Sequence, residues 1–395
     1  MKARSSVLSA GPVLVVGAGP VGTLLAARLL VSGFEVRLLE KRAHRRPGSR
    51  AIGVHPPGLE ALASVSAAAA VQAAGVRVEG GHAFGAEGRL GTLGLGVDTP
   101  VWAVPQPDVE AALEESLERH GGEVERGSEL VGLRATARSL VAIVTGSGGV
   151  VESPASLVIG CDGRDSRVRE LAGISASGGR YQDHYLMADL PCGVTESRYA
   201  EVHLHRDGLA ESFPLPDGWR RVVVRVTGPH RGPVIGGAVV EPGIARRVCE
   251  LAQERGAGTF DPEGARMTSA FVAEGWMAER FAAGRVALAG DAAHVVSPIG
   301  GQGMNLGWLD ALALAAALER VADGSSELES ELASYSTSRI RAARTATRRA
   351  LWNTRMGRPI GRAKAVWRDS LLRAALASTV LSRALAGAFT MRGLA

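Results

Sequence analysis

Apolar residues in this chain follow two patterns, and the boundary between them sets the expected architecture. The first is a short unbroken block running straight into glycine: Val13-Leu-Val-Val before Gly17, Leu157-Val-Ile before Gly160, and Val286-Ala-Leu-Ala before Gly290. Blocks of this length bounded by turn residues suit strands buried on both faces, as in a parallel sheet covered by helices. The second pattern is alternation, in 76–102, 123–151 and 178–276, with runs such as Val76-Arg-Val-Glu79, Tyr199-Ala-Glu-Val-His-Leu-His205 and Arg220-Arg-Val-Val-Val-Arg-Val226. Alternation suits strands with one buried face. A helical period appears after Pro20, from near Pro57 through Leu59 to Ala74, after Pro105-Gln-Pro-Asp108 and over Arg247 to Gln253. It returns in Leu309, Leu312, Leu314 and Leu318, and then from Glu327 onward. Asp108 is expected to cap its helix, with Val109, Leu113 and Leu117 on the buried side. The expected organisation is α/β: a Rossmann-type domain in three pieces, 1–75, 103–177 and 277–330. A β-sheet lobe is inserted as 76–102 and 178–276, and helices close the chain over 331–395.

The chemistry sits where the unbroken blocks end. After the first block comes Gly17-Ala-Gly19-Pro-Val-Gly22, then a helix, then Val36-Arg-Leu-Leu-Glu40. In such a unit Gly17 makes the tight turn, Gly19 admits a pyrophosphate, Gly22 allows close packing, and the acid accepts from both hydroxyls of an adenosine ribose. After the second block comes Asp162-Gly163, followed by Arg169; after the third, Gly290-Asp291, a bend at Pro298 and the turn Gly300-Gly301-Gln302-Gly303-Met304-Asn305. Acids and exposed amides at the carboxyl ends of buried strands and at helix starts are where open α/β sheets bind anionic and polyol groups. Arg50 stands at the junction between loop and helix, within reach of a cofactor lying along the first unit. Met187, Phe213, Trp219 and Trp276 are candidates for the lining of the lobe's pocket, with a place in its buried core as the alternative for each.

Composition narrows the function classes. The chain has 395 residues, enough for two domains sharing a core. Its net charge of +5 comes with only 4% aromatic residues and no stacking or zinc motif, which disfavours nucleic acid. Cys161, Cys192 and Cys249 have neither the number nor the spacing of a disulfide framework, and His184, His203 and His205 lack metal-ligand spacing. No signal peptide is expected in Met1 to Pro12, and a cytoplasmic location follows as the expectation. The stretch Trp367 to Phe389 interleaves Leu371, Leu372, Val380, Leu381 and Leu385 with Arg368, Arg373 and Arg383. Either packing on the body or peripheral contact with a membrane surface through this tail would suit it.

Taken together, the three glycine and acid segments resemble those of the single-component flavoprotein monooxygenases of the aromatic-ring hydroxylase class, with a para-hydroxybenzoate hydroxylase-like fold. Gly17, Gly19 and Gly22 match that family's first motif, Asp162-Gly163 with Arg169 its second, and Gly290-Asp291 with Pro298 and Gly300 to Gly303 its third. The resemblance covers Val13 to about Leu318. It implies noncovalent FAD, NAD(P)H as transient co-substrate, O2, and a phenolic or polyketide-like aromatic substrate hydroxylated through a flavin C4a-hydroperoxide. By the same resemblance Glu40 would hold the adenosine ribose, Arg50 and Gln106 would flank the cofactor's middle, and Asp162 and Gly163 would meet the pyrophosphate region. Asp291 would bond the ribityl chain, and Pro298 with Gly301, Gly303, Met304 and Asn305 would face the isoalloxazine. No acid or base is implied as catalytic. The chain is similar to the compact branch that lacks a C-terminal thioredoxin-like domain, and the Trp-x-Trp-x-Ile-Pro signature of flavin-dependent halogenases is missing. An epoxidase or reductase acting on a lipid or prenyl chain is the alternative on the same fold.

Overall fold

The computed structural model describes residues 10–45, 51–96, 100–136, 139–193, 197–228 and 240–394. Its centre is a six-stranded sheet in the order Ala282–Ala283, Val286–Leu288, Leu157–Gly160, Val13–Val16, Val36–Glu40 and Val124–Arg126. Val13–Val16 pairs in parallel with Val36–Glu40 on one side and with Leu157–Gly160 on the other, and Leu157–Gly160 pairs in parallel with Val286–Leu288. Every residue of Val13–Val16, Leu157–Gly160 and Val286–Leu288 is buried, which is why these strands read as unbroken apolar blocks. The strand order has a functional consequence. Three turns far apart in sequence, after Val16, Gly160 and Leu288, emerge side by side at the carboxyl ends of neighbouring strands.

An eight-stranded sheet forms the second body, in the order His294–Val295, Met267–Ala278, Ala176–Pro191, Trp219–Val226, Gly208–Leu215, Tyr199–His205, Gly80–Gly85 and Gly88–Gly94. Side-chain alternation gives it two different faces. One packs Leu186, Ala188, Ala210, Val222 and Val224 against Ile244, Val248 and Leu251 of the helix Pro242–Glu254. On the other, Tyr185, Met187, Leu209, Val223 and Phe271 cluster with Ile299, a residue of the glycine-rich turn that follows the six-stranded sheet.

Several helix expectations change on folding. The helix read from near Pro57 to Ala74 is two, Pro56–Ala63 and Ala68–Ala73, separated at Ser66, whose φ of 59° is left-handed. Asp108 lies inside the first turn of Gln106–Arg119 rather than capping it, because Pro105 occupies the cap position. There it faces the positive end of the helix dipole. The stretch read over Arg247 to Gln253 spans Pro242–Glu254. In the tail, Arg362–Ala377 and Thr379–Phe389 meet at a bend of 98°, where Ser378 leaves helical geometry and accepts from Leu381 N at 3.4 Å. No single helix among the described residues is long and apolar enough to cross a membrane. Val366, Trp367, Leu371, Val380 and Leu381 of the bent pair are nonetheless exposed.

Candidate functional site

The first turn shows which glycines packing demands and which leave room. Gly17 has φ of 103°, and a Cβ there would stand 2.5 Å from the Cys161 carbonyl oxygen. One on Gly22 would stand 1.9 Å from the Gly17 carbonyl oxygen. These two hold strand, turn and helix together. Gly19 is different, for a Cβ on it would meet nothing within 4 Å, at the start of the helix Pro20–Val31. Space and free amides at a helix start are what a pyrophosphate needs. Glu40, only 7% exposed, turns its carboxylate over this loop and accepts from Ala18 N at 3.1 Å and Arg42 N at 3.0 Å. Those two bonds leave lone pairs for a ribose.

The second turn is built by Asp162. Its Oδ2 accepts from Arg167 N at 2.7 Å and Val168 N at 3.0 Å, ordering the loop, while its Oδ1 is buried without a partner among the described residues. Gly163, with φ of 85°, again faces open space. Arg169 ties this turn to the third by donating to the Ala292 carbonyl at 2.9 Å.

The third turn rests on residues that reading the sequence did not assign. Asp310, fully buried in the helix Gly303–Ala322, accepts from Gly290 N at 3.1 Å, from His294 Nε2 at 2.6 Å and from Arg339 Nε at 2.8 Å. Burial alone would raise the Asp310 carboxyl, but His294 and Arg339 outweigh it and hold the group below its usual range. Asp291, next to the clamped Gly290, is exposed at the rim of the shared cradle. Asn305 is used internally: its Oδ1 accepts from His55 N at 2.8 Å and its Nδ2 donates to the Gly53 carbonyl at 2.9 Å. It thereby fixes the Gly300 to Gly303 turn against the strand Gly53–Val54. Gly300 and Gly301 take φ of 103° and 64°, Pro298 is exposed, and Met304 packs on the main core. His55, also unassigned from sequence, is buried against Phe389 at 5.3 Å between ring centroids. Burial pushes its imidazole down to about 4, despite a hydrogen bond with the Gly300 backbone. The one advance signal for this scaffold is an acid, Asp310, inside the otherwise apolar stretch 306–318 of its helix.

The remaining sequence candidates divide. Gln106 donates to Glu110 Oε1 at 2.6 Å at the start of its helix, and Arg50 lies outside the described residues. Met187 and Phe213 belong to the cluster that contains Ile299. Trp219 stands at the far end of its strand under the Arg266 guanidinium, 4.4 Å from the ring centroid, and Trp276 donates to Glu274 at 3.4 Å. The structure does not bring these two tryptophans together with Met187 and Phe213. Among the described residues no group of three or more His, Cys, Asp or Glu side chains could hold a metal ion.

The arrangement therefore offers an elongated cradle of open glycines and acids for a dinucleotide, ending at a glycine turn that abuts one face of the eight-stranded sheet. Comparison with known proteins points the same way. Residues 11–350 match the family model described as FAD binding domain. An anhydrotetracycline monooxygenase from Streptomyces rimosus is 31% identical over 330 residues, 76% of this chain and 61% of that protein. A flavin-dependent monooxygenase from Mycobacteroides abscessus is 33% identical over 341 residues, 79% of this chain and 69% of that protein. Among solved structures, the anhydrotetracycline hydroxylase OxyS from Streptomyces rimosus superposes with a TM-score of 0.77 at 28% identity, covering 96% of this chain and 75% of that one. The chain spans about three fifths of the length of the anhydrotetracycline monooxygenase it matches.

Proposed function

This chain belongs to the FAD binding domain family, and from that premise we propose that it is an FAD-dependent monooxygenase that uses NAD(P)H and O2 to hydroxylate a phenolic or polyketide-like aromatic ring. The observation that carries the reading is Ile299. It places the glycine turn at the end of the cradle in one apolar cluster with Tyr185 and Met187 of the eight-stranded sheet, so a cofactor ring at the turn would face that sheet. In this reading Gly19 and Gly163 admit the pyrophosphate, Glu40 holds the adenosine ribose and Asp291 the ribityl chain. FAD, when bound, would carry electrons from reduced nicotinamide to oxygen and deliver oxygen to the ring. This chain's own residues orient and shield. The Asp310 clamp keeps Gly290 and Asp291 in place, Asn305 holds the turn, and the apolar sheet face excludes water from the reacting centre. The relatives named above are monooxygenases, which favours hydroxylation over epoxidation or reduction of a lipid or prenyl chain.

The test is the visible spectrum of the purified protein under anaerobic NADPH or NADH, with and without a panel of phenols and hydroxyquinones. A yellow protein whose bleaching one aromatic accelerates supports the reading. Colourless protein that refuses added FAD overturns it.

A second reading concerns the tail. The exposed Val366, Trp367, Leu371, Val380 and Leu381 lie among Arg362, Lys364, Arg373 and Arg383, an apolar and cationic surface suited to an anionic bilayer. Sedimentation with phosphatidylglycerol vesicles, but not phosphatidylcholine vesicles, is expected, and Trp367→Glu should reduce it. Equal recovery in the supernatant with both lipids would remove this reading.

A further inference from the structure

Three buried polar groups on the sheet face that meets Ile299 are left over once the fold's own hydrogen bonds are made. Glu211 sits in the strand Gly208–Leu215 between Leu209 and Phe213 and opposite Val202 and Val223. All four of these neighbours belong to the Ile299 cluster, so alternation puts the carboxyl on the same face. It is 9% exposed, and no hydrogen-bond donor or charge among the described residues stabilises its carboxylate. Tyr185, 1% exposed, lies on that face with a hydroxyl that is buried and has no partner among the described residues. Arg225, across from Tyr185, spends its Nε on Asp183 at 3.1 Å, while its Nη1 is buried without a partner among the described residues.

The other charges of this face are already matched. Asp183 is held by Arg225 and by Arg358, whose Nη2 lies 2.7 Å from Oδ2. Asp189 takes a bidentate pair from Arg221 at 2.7 and 2.8 Å. Arg368, from the tail helix over the edge of this sheet, donates to the Leu204 carbonyl and pairs with Asp369, while its Nη1 is a further buried donor without a partner among the described residues. The strand Met267–Ala278 offers Met267, Phe271 and Ala273 to the cluster, and Glu201 and His203 of the neighbouring strand alternate onto the opposite face. Glu211 is thus surrounded by apolar groups and by charges that are paired with one another. Desolvation accordingly raises its carboxyl to about 7, and the Tyr185 hydroxyl also titrates above its ordinary range, first through burial and then through Glu211.

Buried polar groups are hydrogen-bonded in the working state of a protein, and a leftover set in an apolar wall marks what a ligand must supply. We propose that Glu211, Tyr185 and Arg225 form a polar recognition corner for an aromatic ligand that carries a hydroxyl and a ring carbonyl, the hydroxyl donating to Glu211 and the carbonyl accepting from Tyr185 and Arg225. The corner rests on the proposed monooxygenase reading only in that this face is taken as the substrate side. Met187, Val223, Phe213 and Phe271 supply apolar surface for the ring system. A carboxylate accepts more strongly than a carboxylic acid, so the hydroxyl contact strengthens as Glu211 ionises.

Calorimetric titration of the FAD-loaded protein with 2-hydroxyfluorenone, whose hydroxyl is too far from the ring carbonyl to bond to it, and with fluorenone, from pH 6 to pH 8, tests the corner. The hydroxylated probe should bind about tenfold more tightly than its parent, as expected for a hydrogen bond to a charged group, and the margin should widen as pH rises through 7. Glu211→Gln should shrink the margin to about twofold or less and flatten its pH profile. Tyr185→Phe should weaken both probes by about fivefold through the lost carbonyl contact. Wild-type affinities and pH profile in both variants would overturn the proposal. If Glu211→Gln fails to fold, the wild-type pH profile and Tyr185→Phe decide alone. Flavin content and NADPH oxidation on the same samples separate the two claims: a hydroxyl preference without flavin chemistry sinks the monooxygenase reading and keeps the corner, and the converse result does the opposite.

Discussion

Two regions of this protein each bury a carboxyl, and they treat it in opposite ways. At the third glycine turn, Asp310 is enclosed by Gly290 N, His294 and Arg339, so its oxygens are satisfied and its charge is stabilised. On the face of the eight-stranded sheet, Glu211 is enclosed by Leu209, Phe213, Val202 and Val223, and desolvation raises it to about 7. Burial alone therefore does not tell a structural acid from a binding one. What tells them apart is whether the fold itself supplies the hydrogen-bond partners.

The largest effect should come from breaking the satisfied site. Asp310→Ala leaves His294 and Arg339 facing an empty position inside the core, which should cost about 3–5 kcal/mol in urea unfolding. It should also release flavin, because Gly290 and Asp291 lose their anchor. An unfolding midpoint within error of wild type would show that Asp310 is not the clamp.

Glu211→Gln should go the other way. Below about pH 4.5 folded and unfolded states both hold the proton on Glu211, so the residue carries no penalty. Between about 4.5 and 7 the unfolded chain ionises while the folded one stays neutral, and stability falls with rising pH; above 7 the loss is constant. The shift to about 7 corresponds to roughly 3 kcal/mol. Glutamine should recover about 2 kcal/mol of this at pH 8 and nothing at pH 4, since its amide also lacks partners. Equal midpoints at pH 8 would mean that Glu211 is not held neutral by the fold.

The smallest stability change is expected at Asp291. It is exposed, so Asp291→Ala should alter unfolding of the flavin-free protein by no more than about 0.5 kcal/mol. Flavin content should nevertheless fall, which a visible spectrum of the purified variant measures. Unchanged flavin content and reduction rate would count against a role for Asp291 at the ribityl chain.

The parts legible in sequence were those in which one short segment carries its own physical reason. Gly17 and Gly22 could be assigned tasks because their spacing to a strand and a helix is local, and the structure shows backbone where their side chains would be. Sequence pattern alone runs the helix after Pro57 through Ser66 and gives no sign of the bend at Ser378, because composition favours helix on both sides of Ser66 and Ser378. The turns there come from packing and a left-handed or extended residue rather than from proline or glycine. Asp310, His294, Arg339 and His55 carried no motif. Their roles are pairings across 16, 29 or 250 positions, which local pattern cannot report.

By itself the sequence determined the buried parallel strands, the three glycine and acid turns and the existence of an alternating second sheet. Each depends on residues within a few positions of one another, where φ, hydrogen-bond donors and side-chain period act directly. Tertiary structure decided which acids are satisfied and which are left over. That depends on which strand lies beside which: the order of the six-stranded sheet brings the three turns together, and the register of the eight-stranded sheet sets Glu211 opposite Val202 and Val223 rather than opposite a cation.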